Sequence, residues 1–434
     1  MKQQTSALPT AIVLNLGTEL AQGFVTNTNA KWIAEELRTL GVQMLSQSTL
    51  PDDRKVFGSL FRQALSSKPA LILITGGLGP TDDDLTRELV AKALKRPLHH
   101  DQATEDVIRA YIASRGRPWN DSNSVQAMVP QGAAILSNPV GTAPGLSFMQ
   151  GPTQICCLPG VPHEMRRMFQ DHIAPIFGSN TRQGQIEHLD ALFAGIGEST
   201  VGPALRATPF ATGVKWCSLP TSEGLLIRLY LHTQSSAEIT RSALHSSLCA
   251  LLKTLGPPGE LSLVCTDGSG LAKTVIQGLK QLGQTISVAE SCTGGMLGQV
   301  ISSVPGSSEV FLGGIIAYHN QVKISQLGIT AETLGNQGAV SESTVRQMAE
   351  SVRNALGSTY GLATSGVAGP GGGTESNPVG KVWMAIAGPS GCEAFQEIFS
   401  GDRDEIRTRS VYKLLNTLRT ISGCTQKITC SFEQ

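Results

Sequence analysis

Two long blocks in which apolar strand-like runs alternate with amphipathic helical stretches, separated by a dissimilar middle segment, predict an α/β protein of three domains. The 434-residue length agrees, because single cores stop growing well before that size and domains run to roughly 100–200 residues. The boundaries fall at 1–175, 176–262 and 263–434, and the turn-rich GPPGE at 256–260 closes the second domain.

In the first block AIVLNLG (11–17) reads as a buried strand, TNTNAKWIAEELRTLG (26–41) as a helix with Ile33, Leu37 and Leu40 on one face, and VQMLSQSTL (42–50) as the next strand. A helix over 53–68 carries Val56, Phe57, Leu60, Phe61, Ala64 and Leu65 at helical spacing, and the apolar run ALILITGG (70–77) follows. This βαβαβ order implies a mostly parallel sheet covered by helices. Short strands AAILSN, GLSFM and TQICCL and a helix opened by LPGVPHEM complete the block. The middle segment has LDALFAGIGES, KWCSLPTSEGLLIRLYLH and a helix over 236–255, a small α+β unit without a cluster of reactive groups. The last block alternates again: helix 270–283, strand TISVAES (285–291), helix 293–303, strand GGIIAY (313–318), and helices from Asn320 and Ser341. Strand YGLATS, a glycine-rich loop, strands KVWMAIAG and EAFQEIFS, and a helix begun by Asp402 end it; Asp402 and Glu405 have capping-box spacing.

Lys plus Arg and Asp plus Glu each total 34, so no net charge recommends a nucleic acid, an anionic membrane surface or a strongly acidic partner. No apolar run approaches the ~18 residues of a membrane span, and the opening MKQQTSALPT has no apolar signal region. A cytoplasmic protein is expected. Nine cysteines, none in a C-x-x-C pair and two in the tail at Cys424 and Cys430, suggest neither a disulfide framework nor a zinc site.

In VAESCTGG (288–295) an acid, a hydroxyl, a thiol and a second hydroxyl precede two glycines. Ser291 ends a strand and stands before a helix marked by Met296, Leu297, Val300, Ile301 and Val304, at the sheet edge where open α/β sheets bind ligands. The first helical amides are unpaired there and can hold an oxyanion or a phosphate, and Gly294 and Gly295 remove side chains that would block approach. Local preference alone makes Ser291 or Thr293 a helix cap. Cys292 competes as a nucleophile but has no His close in sequence to activate it. Tyr318 ends the strand GGIIAY, and Lys323 stands five positions on in the first turn of the next helix, so both can come to the edge of Ser291. A serine, a lysine and a tyrosine can hydrolyse an amide without His or metal, provided the lysine is neutral enough to take the serine's proton. Moving a lysine from near 10.4 to near 7 takes roughly 4 kcal/mol. A helix N-terminus supplies only ~0.3–1 kcal/mol of that, so desolvation has to supply most of it. By spacing alone, a solvated Lys323 and a half-buried Tyr318 are the plainer reading.

The loop 366–380, with Gly369, fits neither G-x-G-x-x-G nor the P-loop; its glycines let backbone approach a ligand or serve a tight loop. DGSGLAKT lacks the Gly-Lys of a Walker sequence. Arg403 and Arg407 on the last helix offer forked donors to a phosphate or are simply solvated. In the first block GGLGPTDDD (76–84) leads from a strand into a helix. Its amides can meet a phosphate, while Asp82, Asp83 and Asp84 either hold a divalent cation or offset the helix's positive end.

VAESCTGG, FLGGIIAYHNQVKISQLG, GAVSE, SGVAGPGGGTESNPVGKV and FSGDRDEIR, in this order, resemble the C-terminal domain of the competence/damage-inducible CinA family over nearly all of 275–420. That domain is similar to nicotinamide mononucleotide (NMN) deamidases, which hydrolyse the carboxamide to nicotinate mononucleotide and ammonia. The resemblance implies an α/β amidase domain without a cofactor, with Ser291 as nucleophile, Lys323 as general base and Tyr318 as a proton relay or orienting group. It places Thr293, Gly294, Gly295, Gly369, Arg403 and Arg407 around the substrate or its oxyanion. LGTEL, NTNA, TGGLGPTDDDLT, NPVGTAPG and LPGVPHEM resemble the family's N-terminal domain. That domain is similar to the three-layer α/β molybdopterin-binding domains of molybdenum-cofactor synthesis and is associated with metal-dependent ADP-ribose pyrophosphatase activity. This implies phosphate contacts at Glu19, Asn27, Asn29, Gly76, Gly77 and Gly79 and a divalent cation of unknown identity at Asp83 and Asp84. Asp82 falls in a variable slot, and His163 is assigned no zinc because H-E-M is not H-E-x-x-H. The middle segment corresponds to a small KH-like α+β domain. It lacks the basic G-x-x-G clamp of RNA binders and reads as a spacer or dimerisation unit. The family implies a homodimer acting on small nucleotides, NMN and ADP-ribose, in pyridine-nucleotide salvage; the alternative is a non-catalytic pterin- or nucleotide-binding regulatory protein.

Overall fold

In the computed structural model, which describes residues 8–178, 186–232 and 237–424, the first block forms eight strands. They are β1 (Thr10–Leu16), β2 (Gln43–Leu50), β3 (Leu71–Thr75), β4 (Leu98–His100), β5 (Met128–Pro130), β6 (Ala134–Leu136), β7 (Gly145–Gln150) and β8 (Thr153–Leu158). β4 and β5 pair apart, and the others make a sheet in the order β2-β1-β3-β8-β7-β6. Its first four strands are parallel, β7 runs against them, and β6, antiparallel to β7, returns to their direction. Parallel strands between helices are buried on both faces, which is why β3 reads LILIT and is wholly buried. Phe57, Phe61, Ile72 and Leu89 fill one face, and Ile33, Leu37, Leu73, Met165 and Phe169 the other, giving three layers. The flanking helices start where side chains satisfy their orphan amides. Asn27 accepts from the Ala30 N–H at 2.9 Å, and Asp53 from those of Lys55 and Val56 at 2.8 and 2.9 Å.

The chain divides into two compact units, 1–187 with 232–237 and 188–231 with 238–434. The middle segment contributes β9 (Ile186–Phe193), β10 (Lys215–Pro220), β11 (Leu225–His232) and β12 (Leu263–Cys265), ordered β10-β11-β9-β12. Val201, Leu205, Leu244, Leu248 and Leu251 of two helices cover one face of this sheet. Leu192, Ala194, Val264 and Cys265 instead share a core with Ile286, Val288 and Leu362, so this segment packs as part of the last block's unit. The expected helix start at Ser236, most of the stretch MKQQTSALPT and Cys430 lie outside the described residues.

The last sheet runs β14 (Phe311–Ile316), β13 (Ile286–Glu290), β15 (Tyr360–Gly366), β16 (Lys381–Gly388), β17 (Gly391–Ile398). Its first three strands are parallel, and β16 and β17 form an antiparallel hairpin on β15. The helices Leu271–Gln281 and Arg403–Ile421 pack on one face through Val275, Leu279, Val411 and Leu414. Glu342–Leu356 packs on the other through Val345, Met348 and Val352. Two expected boundaries move. The helix expected from Thr293 begins at Met296, because Gly294 and Gly295 take left-handed φ values of 58° and 98° and prolong the turn. The strand expected to reach Tyr318 ends at Ile316. A short helix, Ala331–Gln337 with Thr330 as its cap, was not signalled by periodicity. Among the described residues no helix is long and apolar enough to cross a membrane.

β15 lies hard against the helix Glu342–Leu356: a Cβ at Gly361 would sit 2.1 Å from the Ala349 carbonyl oxygen and 2.7 Å from Arg353 Cβ. Gly361→Ala is expected to push that helix off the sheet and cost about 1–3 kcal/mol. The check is a lower urea midpoint at unchanged slope.

Candidate functional site

At the carboxyl edge of the last sheet the chain leaves β13 through Ser291, whose N–H donates to the Thr364 carbonyl of β15 at 3.0 Å. The Ala317 N–H, just past β14, donates to the Glu290 carbonyl at 2.7 Å. The helix Asn320–Leu327 then turns Lys323 back over this edge, only 1% exposed. Its Nζ donates to Ser291 Oγ at 3.1 Å and to the carbonyls of Ala317 and Tyr318 at 2.8 and 3.3 Å. An ammonium has three donors and all three are satisfied here. The same neighbours suit a neutral amine, with two N–H groups on the carbonyls and the lone pair toward the Ser291 hydroxyl. Burial holds the Lys323 ammonium below the ordinary lysine range, opposed by Cys292. Desolvation is therefore the lever, as a serine–lysine pair requires.

Cys292 is also buried, and burial pushes its thiol up to about 12, so it carries no thiolate at neutral pH. Thr293 is buried with its hydroxyl 2.7 Å from that of Thr364. Neither it nor Ser291 caps the following helix. That role belongs to Glu290, 1% exposed, which accepts the N–H groups of Gly295, Leu297 and Gly298 at 2.9, 3.0 and 2.8 Å. The Gly294 N–H donates to the Ser291 carbonyl at 3.1 Å. The amides of Gly294 and Gly295, expected as an oxyanion cradle, are therefore engaged. Those of Cys292 and Thr293 have no oxygen partner among the described residues.

Tyr318 lends Lys323 its carbonyl, whereas its side chain is turned outward and its hydroxyl accepts from Arg403 Nη2 at 2.8 Å. The hydroxyl is engaged by Arg403 and is not bonded to Ser291 or Lys323. Arg403 Nη1 donates to the Gly369 carbonyl at 2.7 Å, and both residues line a cavity of about 320 Å³. Arg407 donates through Nε and Nη2 to the Thr293 carbonyl at 3.3 and 2.8 Å and pairs with Asp404 at 3.0 Å. Both arginines, read as phosphate forks, thus already hold the loops of the site. Glu290 and Thr364 escaped sequence reasoning; the acid beside Ser291 was a visible signal, and Thr364 had none.

In the first unit Glu19, Asn27, Asn29, Gly76, Gly77, Gly79, Asp83 and Asp84 line one cavity of about 520 Å³ at the carboxyl ends of β1, β3 and β8. Gly76 and Gly77 have left-handed φ; a Cβ would lie 2.1 Å from the Leu16 carbonyl oxygen at the first and 2.4 Å from Thr86 Oγ1 at the second. Only glycine fits this loop. Asn29 is buried, donates to the Gly160 carbonyl at 2.7 Å, and keeps Oδ1 without a partner among the described residues. Arg87, also missed from sequence, lies buried beneath the loop and donates to the carbonyls of Leu78 and Gly79. Burial lowers its guanidinium to about 10, so it stays charged at neutral pH.

Asp84 does not stand ready for a cation. Its oxygens accept the Gly79 N–H at 2.7 Å, the Thr81 N–H at 3.0 Å and the Thr81 hydroxyl at 2.5 Å. Asp83 is exposed, and the Thr81 hydroxyl and its own backbone N–H hold it below the usual carboxylate range. Among the described residues no three acids, histidines or cysteines gather as metal ligands. The residues present do not fit a resident divalent ion held between Asp83 and Asp84; Asp84 instead staples its own loop.

Fold and sites define a protein of two α/β modules, one of molybdopterin-binding type and one with a serine–lysine edge. Residues 12–178 match the family model described as "Probable molybdopterin binding domain", and residues 268–422 that described as "CinA C-terminal domain". A CinA-like protein of Parasynechococcus marenigrum is 40% identical over 418 residues, 96% of this chain and 97% of that protein. One of Synechococcus elongatus is 38% identical over 414 residues, 94% and 97% respectively. Among solved structures, the competence/damage inducible protein CihA from Agrobacterium tumefaciens is 35% identical and covers 36% of this chain and 94% of its own, with a TM-score of 0.34. The chain belongs to the CinA family.

A lysine whose folded pKa lies below its unfolded one binds fewer protons when native in the interval between them, so stability rises with pH across that interval. Below the folded pKa the burial penalty is borne in full, and above the unfolded value near 10.4 it is gone. Lys323→Met removes the titration. Its stability relative to wild type is expected to be greatest at acid pH and to decline toward pH ~10, read from urea melts across that range. A difference independent of pH would remove burial of the ammonium as a cause.

Proposed function

We propose that the last unit hydrolyses the carboxamide of NMN to nicotinate mononucleotide and ammonia. The observation that carries this reading is the buried Lys323 amine 3.1 Å from Ser291 Oγ. Neutral Lys323 takes the hydroxyl proton as Ser291 Oγ attacks the carboxamide carbon, and the developing oxyanion turns toward the Cys292 and Thr293 amides. The C–N bond then breaks as Lys323 returns the proton to the leaving nitrogen. Water, deprotonated by the same amine, attacks the acyl-serine, and Lys323 returns that proton to Ser291 Oγ as the acyl–oxygen bond breaks and the carboxylate leaves. Tyr318 and Arg403 border the substrate side of this edge. Membership of the CinA family supports the reading.

The first unit's cavity supports a second binding site. Its glycine loop over the buried Arg87 charge favours a phosphate, and the unpartnered Asn29 Oδ1 accepts from a ligand hydroxyl or amine. We infer a phosphate-bearing nucleotide of the ADP-ribose type as its ligand, with no step assigned to a metal.

Ammonia release from NMN measures the first reading. Ser291→Ala is expected to lower kcat/KM by ~10³-fold or more, while Cys292→Ala stays within about 3-fold because the thiol is not ionised. The opposite pattern would make Cys292 the nucleophile. For the first unit, Asn29→Ala is expected to weaken ADP-ribose binding by roughly 10-fold in calorimetry, the worth of about one hydrogen bond. AMP formation, assayed with and without divalent cations, tells turnover from a module that only binds; unchanged affinity would remove Asn29 from the contact.

A further inference from the structure

Glu290 is a buried carboxylate that the proposed chemistry does not use. Along β13, Ile286 and Val288 face the core under the helices Leu271–Gln281 and Arg403–Ile421, and Ala289 faces the opposite core. By the two-residue period of a strand, Glu290 falls on the first face and Ser291 on the second, toward Lys323. A full charge in such a place is costly unless it is hydrogen-bonded. Here one oxygen takes the Gly295 and Leu297 amides and the other the Gly298 amide. These are orphan donors of the helix Met296–Ser302. A Ser or Thr cap satisfies such donors from within the turn, whereas Glu290 does so from the strand. It therefore closes the chain from 290 to 298 around the turn that carries Ser291.

The backbone of the same residue holds the other wall of the site. The Glu290 carbonyl accepts the Ala317 N–H at 2.7 Å, and the Ala317 carbonyl accepts Lys323 Nζ at 2.8 Å. Nucleophile and base are both referred to one residue.

We propose that Glu290 is a positioning residue for the Ser291 reaction, its carboxylate clipping the helix Met296–Ser302 to the end of β13 and so setting where Ser291 Oγ meets Lys323. The proposal rests on the hydrolytic reading of that site. The charged and titratable groups around the turn are the Cys292 thiol, Lys323, and Arg407 with its partner Asp404. The Glu290 carboxylate faces the helix amides, which offset its charge.

The test compares Glu290→Ala and Glu290→Gln with wild type in three measurements: NMN kinetics, the rate of Ser291 labelling by a fluorophosphonate probe, and circular dichroism. A misplacement on the ångström scale is enough to cost ~10²-fold. Glu290→Ala is therefore expected to lose at least ~10-fold in both kcat and labelling rate with KM within about 3-fold. Glu290→Gln, whose amide oxygen still accepts two of the three N–H groups, is expected to recover part of both rates. If Glu290→Ala does not fold, Glu290→Gln carries the same comparison. Folded variants that label and turn over at the wild-type rate, with only a lower melting temperature, would make Glu290 a structural cap and overturn the proposal. Labelling needs no NMN, so wild-type protein that labels at Ser291 but releases no ammonia sinks the substrate reading and leaves the clip to be judged by labelling alone.

Discussion

A lysine amine kept out of water organises the carboxyl edge of the last sheet. In solvent Lys323 is an ammonium and useless as a base, and each unit of pKa taken from it costs about 1.4 kcal/mol. Burial supplies that shift only while the partners are neutral, because a carboxylate within reach restores the charged form. The acceptors around Nζ are accordingly two backbone carbonyls and a hydroxyl. The acid next to Ser291 is turned onto three helix amides. The path of the chain follows from this: β14 ends early so that the carbonyls of Ala317 and Tyr318 are free to meet the amine, and a two-glycine turn delays the helix after Ser291.

The first unit solves a different problem on the same kind of edge. Its loop between β3 and the following helix has its carbonyls drawn down by Arg87 and its amides 79 and 81 drawn to Asp84. A charged guanidinium lies beneath that floor, while Glu19, Asp52, Asp83, Asp84 and Glu164 line the cavity above it. This cavity and the Ser291–Lys323 edge differ in their charged groups although both stand at the ends of parallel strands.

Much of the architecture was legible because periodicity reports burial. LILIT, the ALILITGG run and the spacing of Val345, Met348 and Val352 each state which surfaces face a core. The joining of the middle segment to the last unit was not legible, since it depends on Leu192, Ala194, Val264 and Cys265 meeting Ile286 and Val288 from far along the chain. At the site, spacing allowed Ser291, Tyr318 and Lys323 to meet at one edge but made a solvated Lys323 the plainer reading, and the family resemblance assigned their roles. Hydrogen-bond competition was hidden. Asp84 looked like a metal ligand and Thr293 like a cap until Thr81 and Thr364 were seen to occupy them. Arg403 and Arg407, readable as phosphate forks or as solvated side chains, instead donate to Gly369, Tyr318 and Thr293.

In the proposed reaction the choice of nucleophile rests on contact and not on intrinsic acidity. A thiol is ordinarily far more acidic than a serine hydroxyl, which is what makes Cys292 a competitor. Cys292, however, belongs to the core shared by Ile286, Val288 and Leu297, where burial takes its pKa to about 12. Ser291 is the neighbour delivered to Lys323, which in the proposed reaction accepts its proton as the oxygen attacks. At the end of a strand, adjacent side chains leave on opposite sides, so one step in register would exchange the two. The Ser291 N–H on Thr364, the Ala317 N–H on the Glu290 carbonyl and the Glu290 carboxylate on the next helix all resist that step. The chemistry of the edge is thus decided by what holds the register of β13, before the reactivity of either side chain enters.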